Sequence, residues 1–131
     1  MKIAVFGGTG RTGIPLLKAA LDRGFEVKAL ARSPAKLNFS GRRLEVVEGD
    51  VLNEEDVRKT IEGTDAVISV LGPAKGSPDS LMKDAAEVIT QVMREKGLGR
   101  IVWLTGAGVM DDRDEKAVSR SLIRRLMKIV A

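Results

Sequence analysis

The chain opens on Lys2-Ile3-Ala4-Val5-Phe6-Gly7-Gly8-Thr9-Gly10-Arg11-Thr12-Gly13, and this stretch decides the fold. Lys2-Phe6 has the apolar, β-branched character of a strand buried on both faces, and a helical pattern starts directly after the glycines. Between them lies Gly-x-Gly-x-x-Gly spacing in strand-loop-helix context. Gly8 is expected to permit a tight turn, Gly10 to let the backbone approach a ligand, and Gly13 to let the helix pack closely on the strand. Amides and dipole at the helix N-terminus favour an anion, so Gly7, Gly8, Thr9, Gly10, Arg11, Thr12 and Gly13 are candidate pyrophosphate contacts. The alternative is a merely tight turn. A nucleoside-triphosphate loop would need Lys followed by Ser or Thr after the glycines, and the chain has neither pair there.

Working outward, apolar runs alternate with helical patterns. The strands read as Lys2-Phe6, Glu26-Leu30, Leu44-Val47, Ala66-Leu71 and Arg100-Leu104, none with clean period-two alternation. The first helix runs from about Arg11 to Arg23 with Gly24 as its left-handed cap. The second opens at Asn53, carries Glu54, Glu55 and Asp56 in its first turn, and closes at Gly63. The third has Ser77 as N-cap, Pro78 at the first helical position and Gly97 past its end. A last helix begins near Asp111 or Asp114 and lines up Val118, Leu122, Leu126 and Ile129. These elements predict an α/β, Rossmann-like, doubly wound parallel sheet of five strands in the order 3-2-1-4-5, as one domain over residues 1–131. The fold is expected to be C-terminally incomplete, since a doubly wound dinucleotide fold usually has a sixth strand after this helix.

Composition narrows the chemistry. At 131 residues, 44% hydrophobic and 31% charged, the chain is sized for one globular core. No apolar run approaches the roughly 20 residues of a membrane span, and the N-terminus lacks signal-peptide features, so a cytoplasmic protein is expected. Cys, His and Tyr are all absent, which removes thiolate and imidazole chemistry and a zinc site. No metal is expected. A net charge of +4 raises the question of a polyanion partner, but three Phe and one Trp offer little stacking surface, so nucleic-acid binding is not expected.

The nucleotide is read at the second strand. An acidic residue that binds an NAD ribose usually stands about 20 residues past the glycines. Arg32 lies there instead. An arginine pairs with a 2′-phosphate, and Arg11 could reach the same group, so NADP is favoured with NAD still possible. A solvated strand-end arginine is the alternative. After the third strand, Gly49-Asp50-Val51 could flank the adenine, or Asp50 could cap the turn into the second helix. Leu71-Gly72-Pro73 closes the fourth strand, where backbone could line the ribose and nicotinamide.

With these residues assembled, the chain resembles the atypical short-chain dehydrogenase/reductase superfamily, particularly its NmrA-like group of NAD(P)H-binding flavin and biliverdin reductases. The resemblance is carried by Gly7-Gly8-Thr9-Gly10-Arg11-Thr12-Gly13, Ala31-Arg32-Ser33, Gly49-Asp50-Val51, Asp65-Ala66-Val67-Ile68 and Arg100-Ile101-Val102-Trp103-Leu104-Thr105-Gly106. It implies NADP(H) at the glycine loop and Arg32-Ser33, adenine near Asp50 and Val51, and nicotinamide near Leu71, Gly72 and Thr105. The superfamily's Tyr-x-x-x-Lys acid is missing, since the chain has no tyrosine. Thr105 is the candidate catalytic hydroxyl, to orient a substrate oxygen; it could equally bond to strand-end backbone.

Two functions follow as expectations. The favoured one is an oxidoreductase passing hydride from NADPH to a flavin, quinone or similar small acceptor, chemistry that needs no protein nucleophile. The other is a non-catalytic NADP(H) sensor or regulatory binder, suggested by the missing acid and the basic last helix. A homodimer through the C-terminal helices is a further expectation.

Overall fold

The computed structural model describes residues 1–73 and 76–105. The expected last helix, its apolar stripe and a dimer contact through it lie outside the described residues, as does Gly106. Five strands form one sheet: β1 (Lys2–Phe6), β2 (Glu26–Ala31), β3 (Leu44–Glu48), β4 (Ala66–Ser69) and β5 (Ile101–Trp103). Their order is β3-β2-β1-β4-β5 and every pairing is parallel, as the sequence predicts. The order reverses between β1 and β4, where Phe6 stands opposite Ser69.

Side chains of β1 alternate between two cores, as the pleat requires. Ile3 and Val5 join Leu17 and Ala20 of α1 (Gly13–Asp22) on one face. Ala4 and Phe6 join Val57 and Ile61 of α2 (Glu54–Ile61), and Ala85, Ile89 and Val92 of α3 (Leu81–Glu95), on the other. Phe6, Leu17, Ile61 and Ile89 are fully buried, each stabilising the fold by roughly 1.5–3 kcal/mol through burial.

The helix ends follow the glycines. Gly24 has φ +86°, and its amide donates to Leu21 O while that of Phe25 reaches Ala20 O at 3.1 Å, closing α1 in a Schellman motif with Phe25 packed on the core. Gly97 (φ +67°) ends α3 in the same way, with Leu98 N donating to Met93 O at 2.8 Å. At the start of α2, Asn53 Oδ1 accepts from the amides of Glu55 and Asp56 at 3.0 and 3.1 Å.

Several boundaries differ from expectation: α1 starts at Gly13 and not Arg11, β5 is trimmed by one residue at each end, β2 and β3 each run one residue further, and two larger differences bear on the site. The third helix starts at Leu81 with Ser80 in the N-cap position, not at Ser77-Pro78. The chain first makes a separate turn, closed by Leu81 N to Pro78 O at 3.0 Å, and Gly76 (φ +80°) redirects it beforehand. The fourth strand stops at Ser69, two residues short. The Val70 amide still donates to Phe6 O, and Leu71 then leaves the sheet toward the glycine loop.

Candidate functional site: a cleft at the carboxyl edge of the sheet

The loops after β1, β2, β3 and β4 converge on a cleft of about 280 Å³. Its position, outside the carboxyl ends of the strands and at the reversal of strand order, is where ligands bind in open α/β sheets. Its floor is Phe6, Leu30 and Ala31, and its walls are built from four connections.

The first wall is the glycine loop. Gly7 has φ +83°, and a Cβ there would stand 2.8 Å from Leu71 N and Val70 C, so this position admits only glycine. The tight turn expected at Gly8 therefore falls one residue earlier. Gly8 instead packs on the core, where its Cβ would meet Leu17 Cδ1 at 3.1 Å. Gly10 closes the turn by donating to Gly7 O at 3.1 Å, and Ile14 N donates to Gly10 O at the same distance. Among the described residues, the amides of Arg11, Thr12 and Gly13 donate to no backbone carbonyl, leaving them for a ligand or solvent. A Cβ on Gly13 would collide with the Gly7 carbonyl, so α1 lies directly on the loop as its glycine suggests.

The second wall is Arg32, the residue after β2. Its side chain is exposed on the cleft rim and takes part in no hydrogen bond or ion pair among the described residues. The third wall is Gly49-Asp50-Val51-Leu52. Here Asp50 both lines the cleft and ties its own turn, with Oδ1 accepting from Leu52 N at 2.8 Å. The two readings left open for this carboxylate are thus geometrically compatible. The fourth wall combines Leu71-Gly72 with Gly76, Ser77, Pro78 and Leu81.

Of the candidate residues, Gly7, Thr9, Gly10, Arg32, Asp50, Val51, Leu71 and Gly72 line the cleft together. Gly8 and Gly13 lie buried beneath it. Arg11 and Thr12 are exposed on the loop, Ser33 is exposed past β2, and Thr105 is exposed past β5; none of these four is in the lining. Leu52 and the Gly76–Leu81 segment were missed. Leu52 carried a signal, a large apolar residue directly after Asp50-Val51, which the structure leaves 41% exposed, whereas Ser77 and Pro78 read as helix punctuation and masked a wall.

Residues chemically suited to a dinucleotide are therefore assembled: a glycine turn offering amides to phosphate, a guanidinium unengaged among the described residues, and an apolar floor. Among the described residues there is no group of His, Cys, Asp and Glu that could hold a metal ion, and no helix is long and apolar enough to cross a membrane.

Comparison with known proteins agrees with this cradle. Residues 7–129 match the family described as NAD(P)H-binding. The uncharacterized protein YwnB of Bacillus subtilis is 31% identical over 110 residues, which cover 82% of this chain and 48% of that protein. A 3-beta-hydroxysteroid dehydrogenase of Mycolicibacterium neoaurum is 27% identical over 121 residues, 83% of this chain and 33% of the enzyme. The solved structure of the oxidoreductase ylbE from Lactococcus lactis is 26% identical with a TM-score of 0.74, covering 95% of this chain and 57% of that one. The chain thus spans about half or less of the curated relatives it matches. With the glycine cradle, the sheet order and the match over residues 7–129 together, the chain belongs to the NAD(P)H-binding family, with a Rossmann-type fold, and its cofactor class is a nicotinamide dinucleotide.

Proposed function

We propose that this chain binds NADP(H) in preference to NAD(H), as the dinucleotide-binding part of an oxidoreductase that passes hydride from NADPH to a flavin, quinone or similar small acceptor. The observation that carries the reading is Arg32, an exposed guanidinium on the cleft rim with no hydrogen-bond or ion-pair partner among the described residues, at the end of the strand where an NAD-binding carboxylate would stand. A 2′-phosphate there would gain a charged, bidentate hydrogen bond.

Each end of the cleft has a role in this reading. Gly7, Thr9 and Gly10, with the amides of Arg11, Thr12 and Gly13, hold the pyrophosphate; the Arg11 side chain, exposed on the glycine loop, and Ser33, next to Arg32, serve the 2′-phosphate side. Asp50 and Val51 flank the adenine, and Leu71 and Gly72 line the nicotinamide end. When bound, the cofactor supplies the hydride; the chain's residues orient it and shield it from water. This suits a chain with no Cys, His or Tyr. Thr105, exposed past β5 and outside the cleft lining, is the hydroxyl proposed to orient an acceptor oxygen.

The test is a calorimetric titration with NADPH and NADH, followed in the same sample by absorbance at the reduced-nicotinamide band after adding flavin or quinone. NADPH-selective binding with oxidation supports the proposal. Binding without oxidation would favour a sensor, and equal affinities would remove the NADP preference.

A further inference from the structure

The third wall of the cleft is held from behind by a residue outside its lining. Asp56, in the first turn of α2, turns its half-buried carboxylate back on the loop, and Oδ2 accepts from the Asp50 amide at 3.0 Å. Gly49 makes room for it: a Cβ there would stand 2.5 Å from both Cγ and Oδ2 of Asp56. An acidic residue at this helical position ordinarily reaches back to the amide of its own N-cap, in a capping box. Here the N-cap Asn53 instead donates its amide to Asp50 O at 3.0 Å, and the Asp56 carboxylate extends past it to Asp50. Both the amide and the carbonyl of Asp50 are therefore tied to the start of α2.

We propose that Asp56 is a positioning residue for the dinucleotide: by fixing the Asp50 amide, it presets the Asp50–Leu52 wall against which the adenine end of the ligand packs. The inference rests on the nucleotide reading above. A loop already in its binding conformation need not be ordered when ligand arrives, so the carboxylate contributes to affinity without touching the ligand. Its bond to the amide is charge-assisted, stronger than a neutral one.

The experiment measures dissociation constants for NADPH and for adenosine 2′,5′-bisphosphate, which lacks the nicotinamide end, together with Tm, on the full chain. Asp56→Ala is expected to weaken both ligands by about tenfold, the size of one charged hydrogen bond. Asp56→Asn, which keeps an oxygen acceptor, should recover most of that loss. Gly49→Ala displaces the same carboxylate, so the double variant should bind no more weakly than either single one. Glu55→Ala removes a neighbouring first-turn charge without touching the loop and should leave affinity unchanged. A lower Tm with unaltered affinity in Asp56→Ala would overturn the positioning role, as would a loss confined to NADPH. Wild-type protein that binds neither ligand would overturn the nucleotide reading itself, and the role with it.

Discussion

The Cα of Gly13, the first residue of α1, lies against the carbonyl oxygen of Gly7, so close that no Cβ fits between the helix and the loop. Backbone surrounds the gap, with the Gly8 Cα on its other side, and backbone cannot swing away as a side chain can. Gly13→Ala should therefore destabilise the fold by about 1–3 kcal/mol through overpacking, read as a lower urea midpoint at unchanged slope. Gly10 faces open space apart from Gly7 O at 3.3 Å. Gly10→Val should keep the wild-type circular-dichroism spectrum while abolishing NADPH and NADH binding; retained affinity would place the nucleotide elsewhere.

In the proposed reading, Arg32 separates cofactor choice from cofactor binding. Replacing it with Asp removes the cation from the 2′-phosphate and sets a carboxylate against it. NADPH affinity should fall on the order of tenfold to a hundredfold, the worth of one charged hydrogen bond, while NADH affinity changes little. Parallel titrations check this, and equal losses for the two cofactors would refute the role.

Lys28 serves the opposite edge of the sheet. Though it sits in β2, its side chain is buried, and Nζ donates to the carbonyls of Lys59 and Glu62 at the C-terminus of α2, with Glu45 3.6 Å away. Lys28→Met keeps the volume but strands those carbonyls. Stability should drop by about 1–3 kcal/mol, seen in thermal melts, with NADPH affinity intact because the cleft lies at the other end of the strand.

The α2–α3 contact carries a pH dependence. Arg58 donates to Glu95 at 2.6 Å and pairs with Glu54, and Lys96 donates to Glu62 at 3.1 Å. Hydrogen bonds from Arg58 and Lys96 hold Glu95 and Glu62, respectively, below the usual carboxylate range. A carboxyl depressed on folding stabilises the native state above its unfolded pKa, and that contribution disappears as pH falls through the folded value. These groups are exposed, so the effect is small. Tm should decline on acidification below the ordinary carboxylate range, and less steeply in Glu95→Gln. An identical slope in that variant would assign the acid sensitivity to other carboxylates.

Much of this architecture was legible because single residues carry it. Lys2–Phe6 matches its strand end to end, Asn53 caps α2, and Gly24, Gly63 and Gly97 all adopt the positive φ expected of helix-ending glycines. Reading failed where one residue type serves two purposes. Ser77 and Pro78 have the chemistry of a helix start, yet they wall the cleft, and the helix waits for Leu81. Gly7 and Gly8 are indistinguishable in sequence, and only the approach of Val70 and Leu71 shows which of them must be glycine. Asp56 read as a favourable charge for the helix dipole, and its bond to Asp50 depends on a fold the spacing alone does not reveal.

The exposure of Arg32 and the confinement of Gly13 give the two ends of the proposed nucleotide grip different evolutionary freedom. A guanidinium in solvent can be exchanged for another residue at almost no cost to stability, so descendants of this domain could trade one dinucleotide for the other by drift at a single codon. Gly13 offers no such latitude, because any replacement disrupts the scaffold before it can alter the ligand.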